Sequence, residues 1–232
     1  MSTTDIDQRF YTPMEVSAHN SPNDCWVSFH FKVFDITKLI KEHQGPLVEP
    51  ILKAAGTDIT HWFQPLLGKD DAVKVKTHLD PVTSLEEPYC PMGPFVHIPP
   101  REPTVDWDNS FGLPWWQDDK RYYVGELSRK TRTIRIKNVL TGQEDSMEVP
   151  SEETVGEIEK RYLELNWHAA SYTWKVLKPY GGEWVFTPLD MEMTLSENGV
   201  PDEEYDFEVL SINSDYYHPV VHLYYNDDLS VK

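Results

Sequence analysis

Seven prolines, at positions 88, 91, 94, 99, 100, 103 and 114, interrupt the middle of the chain, and Trp107, Trp115 and Trp116 share that stretch. Proline removes a backbone donor and fixes φ, which excludes long helices and central strands there. A flexible linker is rich in glycine and serine and lacks tryptophan. Residues 83–121 therefore read as an extended strap between two regions of regular structure. Exposed tryptophan suits a partner-docking segment; the plainer reading, an intramolecular strap packed on one or both domains, is preferred. A chain of 232 residues, 39% hydrophobic and 12% aromatic, has enough apolar material for two small cores.

The first region, residues 8–82, follows a polar tail at 1–7. Thr12-Pro13-Met14-Glu15 predicts a helix start, with Thr12 as N-cap, Pro13 at N1 and Glu15 closing a capping box. Ser21 to Asp24 is a turn. Cys25–Phe29 and Lys32–Ile36 are two short β runs. Pro50 opens a short helix that stops at Gly56, and Asp58 caps another through Phe63. Short helices alternating with short strands indicate an α+β domain.

The second region, residues 122–232, alternates over Thr133–Lys137, turns at Thr141-Gly142 and returns over Asp145–Val149. Thr154 and Glu157 form a second capping box, and Val155, Ile158 and Tyr162 share one helix face. Ser171–Leu177, Trp184–Phe186 and Val220–Tyr225 read as strands.

The formal net charge of −18 opposes nucleic-acid binding and docking on acidic surfaces, so a partner is expected to present basic or neutral surface. The absence of a long apolar run or a basic leader predicts a soluble protein without membrane contact. Cys25 and Cys90 read as free thiols, Cys25 buried and Cys90 more exposed and the better candidate for oxidation. His168, His218 and His222 lack metal-ligand spacing. No Ser/His/Asp order, phosphate loop or CxxC motif is present, so no enzyme is expected.

Residues 10–63 carry one ordered set of motifs: Tyr11-Thr12, His19-Asn20, Asp24-Cys25-Trp26-Val27, Val33 to Thr37, Glu42-His43, Gly56 and Asp58 to Phe63. This run resembles a cytochrome b5 domain. In that family two histidines hold haem, the first within a His-Pro-Gly-Gly loop; here the loop reads His43-Gln44-Gly45-Pro46. The resemblance implies His43 as first ligand, and places the family's second ligand at Gly68. His78, brought back by the loop at Lys69 to Val75, is the preferred replacement and His61 the alternative. Phe34, Leu39 and Ile40 are the expected pocket walls. The altered loop and displaced ligand imply that haem b is held weakly or only in one redox state. A pocket filled by side chains is the competing reading.

The second region resembles a ubiquitin-like β-grasp domain, in its element order and in the Thr194-Leu195-Ser196-Glu197-Asn198-Gly199 turn. Its last residues, Asp227–Lys232, lack the Gly-Gly of a conjugated modifier, which implies a binding module. The two halves together, with Gly93 to Pro100, Phe111 to Gln117, Ser128 to Ile136, His168 to Lys175 and Tyr225 to Leu229, resemble a family of two-domain b5 proteins of motile cilia. That resemblance implies a cytoplasmic, cytoskeletal location in the cilium axoneme, partners among radial spoke and other axonemal proteins, and redox-linked modulation of beating through haem. The acidic charge disfavours direct contact with the microtubule lattice. The alternatives are a soluble b5-type electron carrier and an adaptor with no haem.

Overall fold

A computed structural model describes residues 9–68, 71–100, 110–166, 171–213 and 216–225. The tail at 1–7, Lys69, Trp107, His168 and the terminal Asp227–Lys232 lie outside the described residues. The chain divides between Leu127 and Ser128 into two compact units.

The first unit runs β1 (Phe10–Tyr11), α1 (Pro13–Ala18), β2 (Asn20–Ser21), β3 (Asp24–Phe29), β4 (Lys32–Asp35), α2 (Thr37–Glu42) and α3 (Glu49–Lys53). A 3-10 turn at Thr60–Trp62 follows, then a hairpin of β5 (Thr77–Leu79) and β6 (Glu86–Pro88). A second 3-10 turn at Trp115–Gln117 leads into α4 (Asp119–Tyr122) and β7 (Tyr123–Leu127). The main sheet has the order β1-β7-β4-β3-β2, with β1 parallel to β7.

Local chemistry sets these elements. The Thr12 hydroxyl accepts from the Glu15 amide (3.1 Å) and the Glu15 carboxylate accepts from the Thr12 amide (2.7 Å), which fixes the start of α1. The β3–β4 hairpin turns through His30 and Phe31, both at positive φ (50° and 61°), as a two-residue turn of right-handed twist requires. The His30 amide donates to Thr60 Oγ1 (3.0 Å), which ties this turn to the 3-10 turn.

The strand Tyr123–Leu127 moves the boundary expected at 121/122. Phe10 and Tyr11 pair with Glu126 and Leu127, and Lys32 and Val33 pair with Glu126 and Gly125, so this strand completes the first sheet. Gly125 is required there, because a Cβ would stand 2.4 Å from the Arg9 carbonyl oxygen. The boundary expected at 82/83 moves as well. Phe95, Val96, Ile98, Trp115 and Trp116 are buried in the same core as Phe29, Phe34, Leu39 and Trp62. The apolar effect decides this: each large aromatic ring withdrawn from water contributes on the order of 2–3 kcal/mol.

The second unit contains β8 (Thr131–Asn138), β9 (Glu144–Pro150), α5 (Val155–Leu163), β10 (Tyr172–Tyr180), β11 (Glu183–Pro188), α6 (Glu204–Val209) and β12 (Val220–Tyr225). Its sheet has the order β11-β10-β12-β8-β9, with β12 parallel to β8. Thr154 and Glu157 cap α5 reciprocally. Val155, Ile158 and Tyr162 then face Ile134, Ile136, Trp174, Val176, Val221 and Leu223 in one core. No helix among the described residues is long and apolar enough to cross a membrane.

Candidate functional site

His43 is the side chain that the fold prepares most clearly for ligation. The Asp35 carboxylate accepts from the Thr37 amide (2.9 Å) at the start of α2, and the Thr37 hydroxyl accepts from the Cys25 amide (2.9 Å), anchoring that helix to β3. α2 buries Leu39 and Ile40 and ends at His43. The Leu39 carbonyl accepts from the His43 amide at 3.0 Å. His43 Nδ1 lies 3.2 Å from that same oxygen, so the ring donates there and keeps the lone pair on Nε2. A ring held through Nδ1 by a carbonyl is the usual posture of a metal-ligating histidine. Gly45, at φ 125°, then turns the chain ahead of Pro46.

The ring beside His43 is His97, not one of the expected partners. Their centroids are 5.5 Å apart at an interplanar angle of 88°. Sequence reasoning assigned His97 to the strap, and no linear spacing marks it as a neighbour of His43. Its other neighbour is Phe111, stacked at 4.0 Å. The Trp115 amide donates to His97 Nδ1 (3.0 Å), which puts the proton of the neutral ring on Nε2. That Nε2 is buried and has no protein partner. Burial above all, then the nearby His43 and Arg121, push the His97 pKa down to about 4, so the ring is neutral at physiological pH.

The aromatic core of the unit reaches His97, whose ring lies 6.4 Å from that of Trp116. Trp62, Phe95 and Trp115 are fully buried, and Phe63 and Trp116 nearly so. Trp62 packs on Phe95 at 4.9 Å, Trp115 on Trp116 at 5.7 Å and Phe29 on Phe34 at 4.2 Å. The expected pocket walls Phe34, Leu39 and Ile40 lie in this one apolar cluster.

The expected second ligands stand elsewhere. His78 sits on β5, exposed and edge-on to Tyr89 at 6.2 Å. It borders a groove of ≈ 630 Å³ with Tyr89, Cys90 and Ile98. Pairing of Thr77–Leu79 with Glu86–Pro88 holds it there, so the preceding loop does not carry it onto His43. His61 is exposed on the 3-10 turn, its ring 6.3 Å from Trp62. Gly68 lies in an exposed turn in which Asp71 Oδ2 accepts from the Leu67 and Gly68 amides (3.0 and 2.8 Å).

A six-coordinate haem needs two imidazoles that each offer a lone pair from opposite faces of a flat ligand. His43 meets its half of that requirement. His97 does not, because its Nδ1 is occupied and its Nε2 carries the proton. The two rings are in direct edge-to-face contact, which leaves no layer for a porphyrin between them. In this conformation the described residues do not fit a six-coordinate haem. Among them, no group of three or more His, Cys, Asp or Glu is placed to hold a metal ion.

The model of the cytochrome b5-like heme/steroid binding domain matches residues 12–128, which coincides with the first unit and includes the strand at 123–127. Cytochrome b5 domain-containing protein 1 of Xenopus laevis is 52% identical over 226 residues, covering 97% of this chain and 98% of its own. The Homo sapiens protein of that name is 47% identical over 97% of this chain and 93% of its own. Among solved structures, Ectothiorhodospira vacuolata cytochrome b558 is 36% identical over 24% of this chain and 68% of that one, with a TM-score of 0.22. On the family-model match and the chain-long relatives, the chain belongs to the cytochrome b5-like haem/steroid binding domain family.

Proposed function

We propose that this chain is a non-enzymatic protein of the ciliary axoneme, associated with radial spokes, whose b5 domain takes up haem conditionally and so links redox state to ciliary beating. The observation that carries the conditional part is the His43–His97 contact. One ligand is ready, and the second position is closed by a neutral ring from the chain's own aromatic segment. A site with one fixed ligand depends on the oxidation state of the iron, because ferrous and ferric iron differ in charge and in ligand preference. The ciliary part rests on the resemblance of the two-region combination to axonemal b5 proteins, together with the chain-long similarity to cytochrome b5 domain-containing protein 1 of Xenopus laevis and Homo sapiens. In the second unit, the order of hairpin, helix and three further strands, with first and last strands parallel at the centre, supports a ubiquitin-like β-grasp that serves as a binding module.

The test is an absorbance titration of the full chain with ferric and with ferrous haem. Wild type is expected to bind one form at least tenfold more tightly than the other. His43→Ala abolishes the bound spectrum and His78→Ala leaves it unchanged. Equal, tight binding of both forms overturns the conditional reading in favour of a permanent electron carrier. No binding of either form leaves an adaptor that works without haem.

A further inference from the structure

α6 is held in place without burying anything. It has no side-chain cap, and none of its residues is buried. A free helix of this length does not persist in water, so this one depends on its ends. Ahead of it, the buried Arg132 donates through Nη1 to the Val200 carbonyl (3.3 Å) and through Nη2 to the Pro201 carbonyl (2.5 Å). Lys130 Nζ stands 2.6 Å from Asp202 Oδ2. Behind it, the Ile212 amide donates to the Phe207 carbonyl (2.8 Å), and the Phe207 ring lies 6.2 Å from that of Tyr216. The helix is thereby fixed and open, with Tyr205 68%, Leu210 65%, Val209 64% and Ile212 38% exposed. Apolar side chains clustered at the surface mark an interaction site.

The charges of this segment define what it takes. Residues 202–208 carry five carboxylates: Asp202, Glu203, Glu204, Asp206 and Glu208. Asp202 pairs with Lys130, and the other four make no ion pair among the described residues. Glu204 and Glu208 lie one turn apart, where like charges repel and a cation between them relieves the repulsion. Two clefts meet at Glu204. Arg132, Glu148, Asp202, Glu203 and Phe207 line one, and Lys130, Tyr205, Glu208 and Ile212 line the other. Both cations are already engaged, Lys130 by Asp202 and Arg132 by the two carbonyls, although the buried Arg132 Nε has no protein partner. A peptide carries both counterparts, cationic side chains for the carboxylates and carbonyl oxygens for an N–H. A metal ion is disfavoured, since no described group of three or more His, Cys, Asp or Glu is placed to hold one. A second copy of the chain sets these carboxylates against their own counterparts, and anionic lipid and nucleic acid are repelled.

We infer that α6 and its two clefts dock a basic amphipathic segment of a partner protein, with an apolar residue against Tyr205 and Ile212 and lysine or arginine side chains on Glu203, Glu204 and Glu208. The inference rests on the reading of the second unit as a binding module and is independent of haem. Charge opposition sets the partner's register, and the exposed apolar side chains supply the area that is withdrawn from water.

The experiment is an amide-shift titration of the isotope-labelled full chain with two synthetic peptides of about four helical turns. Both carry leucines three and four residues apart, one with lysines beside them and the other with glutamates. The lysine peptide is expected to shift amides within 202–212, and the glutamate peptide to leave them unmoved. Glu204→Lys/Glu208→Lys weakens the lysine peptide about tenfold or more and admits the glutamate peptide. Tyr205→Ala/Ile212→Ala also weakens the lysine peptide, which attraction to an acidic chain at large does not explain. All four side chains are exposed, so both variants keep the amide spectrum of the second core. Five outcomes overturn the proposal: no binding of the lysine peptide, equal binding of both peptides, no loss in Tyr205→Ala/Ile212→Ala, concentration-dependent broadening without peptide, or lysine-peptide shifts elsewhere that survive Glu204→Lys/Glu208→Lys. The last of these, mapped to another part of the second unit, leaves the binding-module reading standing while removing this site.

Discussion

Arg121 reaches back to Glu42, the residue before His43, and its Nη2 donates to both carboxylate oxygens at 3.2 and 3.0 Å. The contact joins the end of the aromatic segment to the end of α2, beside the ligand-ready imidazole. Both side chains are close to half exposed, so the pair contributes at most about 1 kcal/mol to stability. Its importance lies in where it acts.

Arg121→Ala is therefore expected to change the unfolding midpoint little and to raise apparent haem affinity, by loosening the segment that closes the site. Haem absorbance titrations at fixed ionic strength measure this. A binding curve identical to wild type removes the latch from the account.

The His97 pKa, lowered to about 4 from an ordinary value of 6.5, predicts a pH dependence of stability. The unfolded chain takes up this proton more readily than the folded one, so stability is present above pH 6.5 and declines as pH falls from 6.5 towards 4. His30 and His222, also held below their ordinary values by burial, act with the same sign. His97→Asn tolerates the positive φ of 71° at this position and removes one of the three titrations. Thermal melts across that window are expected to fall less steeply in the variant than in wild type.

Trp115 is fully buried, and its indole N–H has no protein partner. Trp115→Ala is expected to cost about 3–5 kcal/mol through lost burial and the cavity left behind. Trp115→Phe is expected to cost less, about 1–2 kcal/mol, since it also removes a stranded donor. Calorimetry that resolves the transition of the first unit tests both, and equal costs contradict the assignment of Trp115 to this core.

The two thiols are expected to differ in reactivity. Burial first, then Asp35 and Asp24, push the Cys25 pKa up to about 12, and the side chain has no exposed surface. Cys90 is a partly exposed thiol. A thiol reagent at pH 8 should modify one cysteine per chain natively and two in denaturant, with peptide mapping that places the native label on Cys90.

What was legible in the sequence is what short-range chemistry decides. The two threonine–glutamate boxes start helices where the sequence puts them, because cap and partner are three residues apart. Alternation located β8 and β9, and the capped apolar stripe located α5. His97 was not legible as the neighbour of His43, because only the return of a proline-rich segment brings the two together. Proline shows where a helix cannot form and says nothing of where a chain comes back. His78 was favoured by its order after the short helix at Thr60–Trp62, and a hairpin invisible in the alternation holds it at the surface. The α6 helix was missed because Glu204–Val209 has no side-chain cap and buries no residue.

The pairing of Phe10 with Glu126 carries a consequence for synthesis. A ribosome must release nearly all of the first unit before its opening strand finds a partner, and early products expose the bare edges of β1 and β4 in the meantime. Such long-range closure slows folding and lengthens exposure to aggregation. Premature termination anywhere before Tyr123 leaves a chain with a porphyrin-family fold that cannot shut.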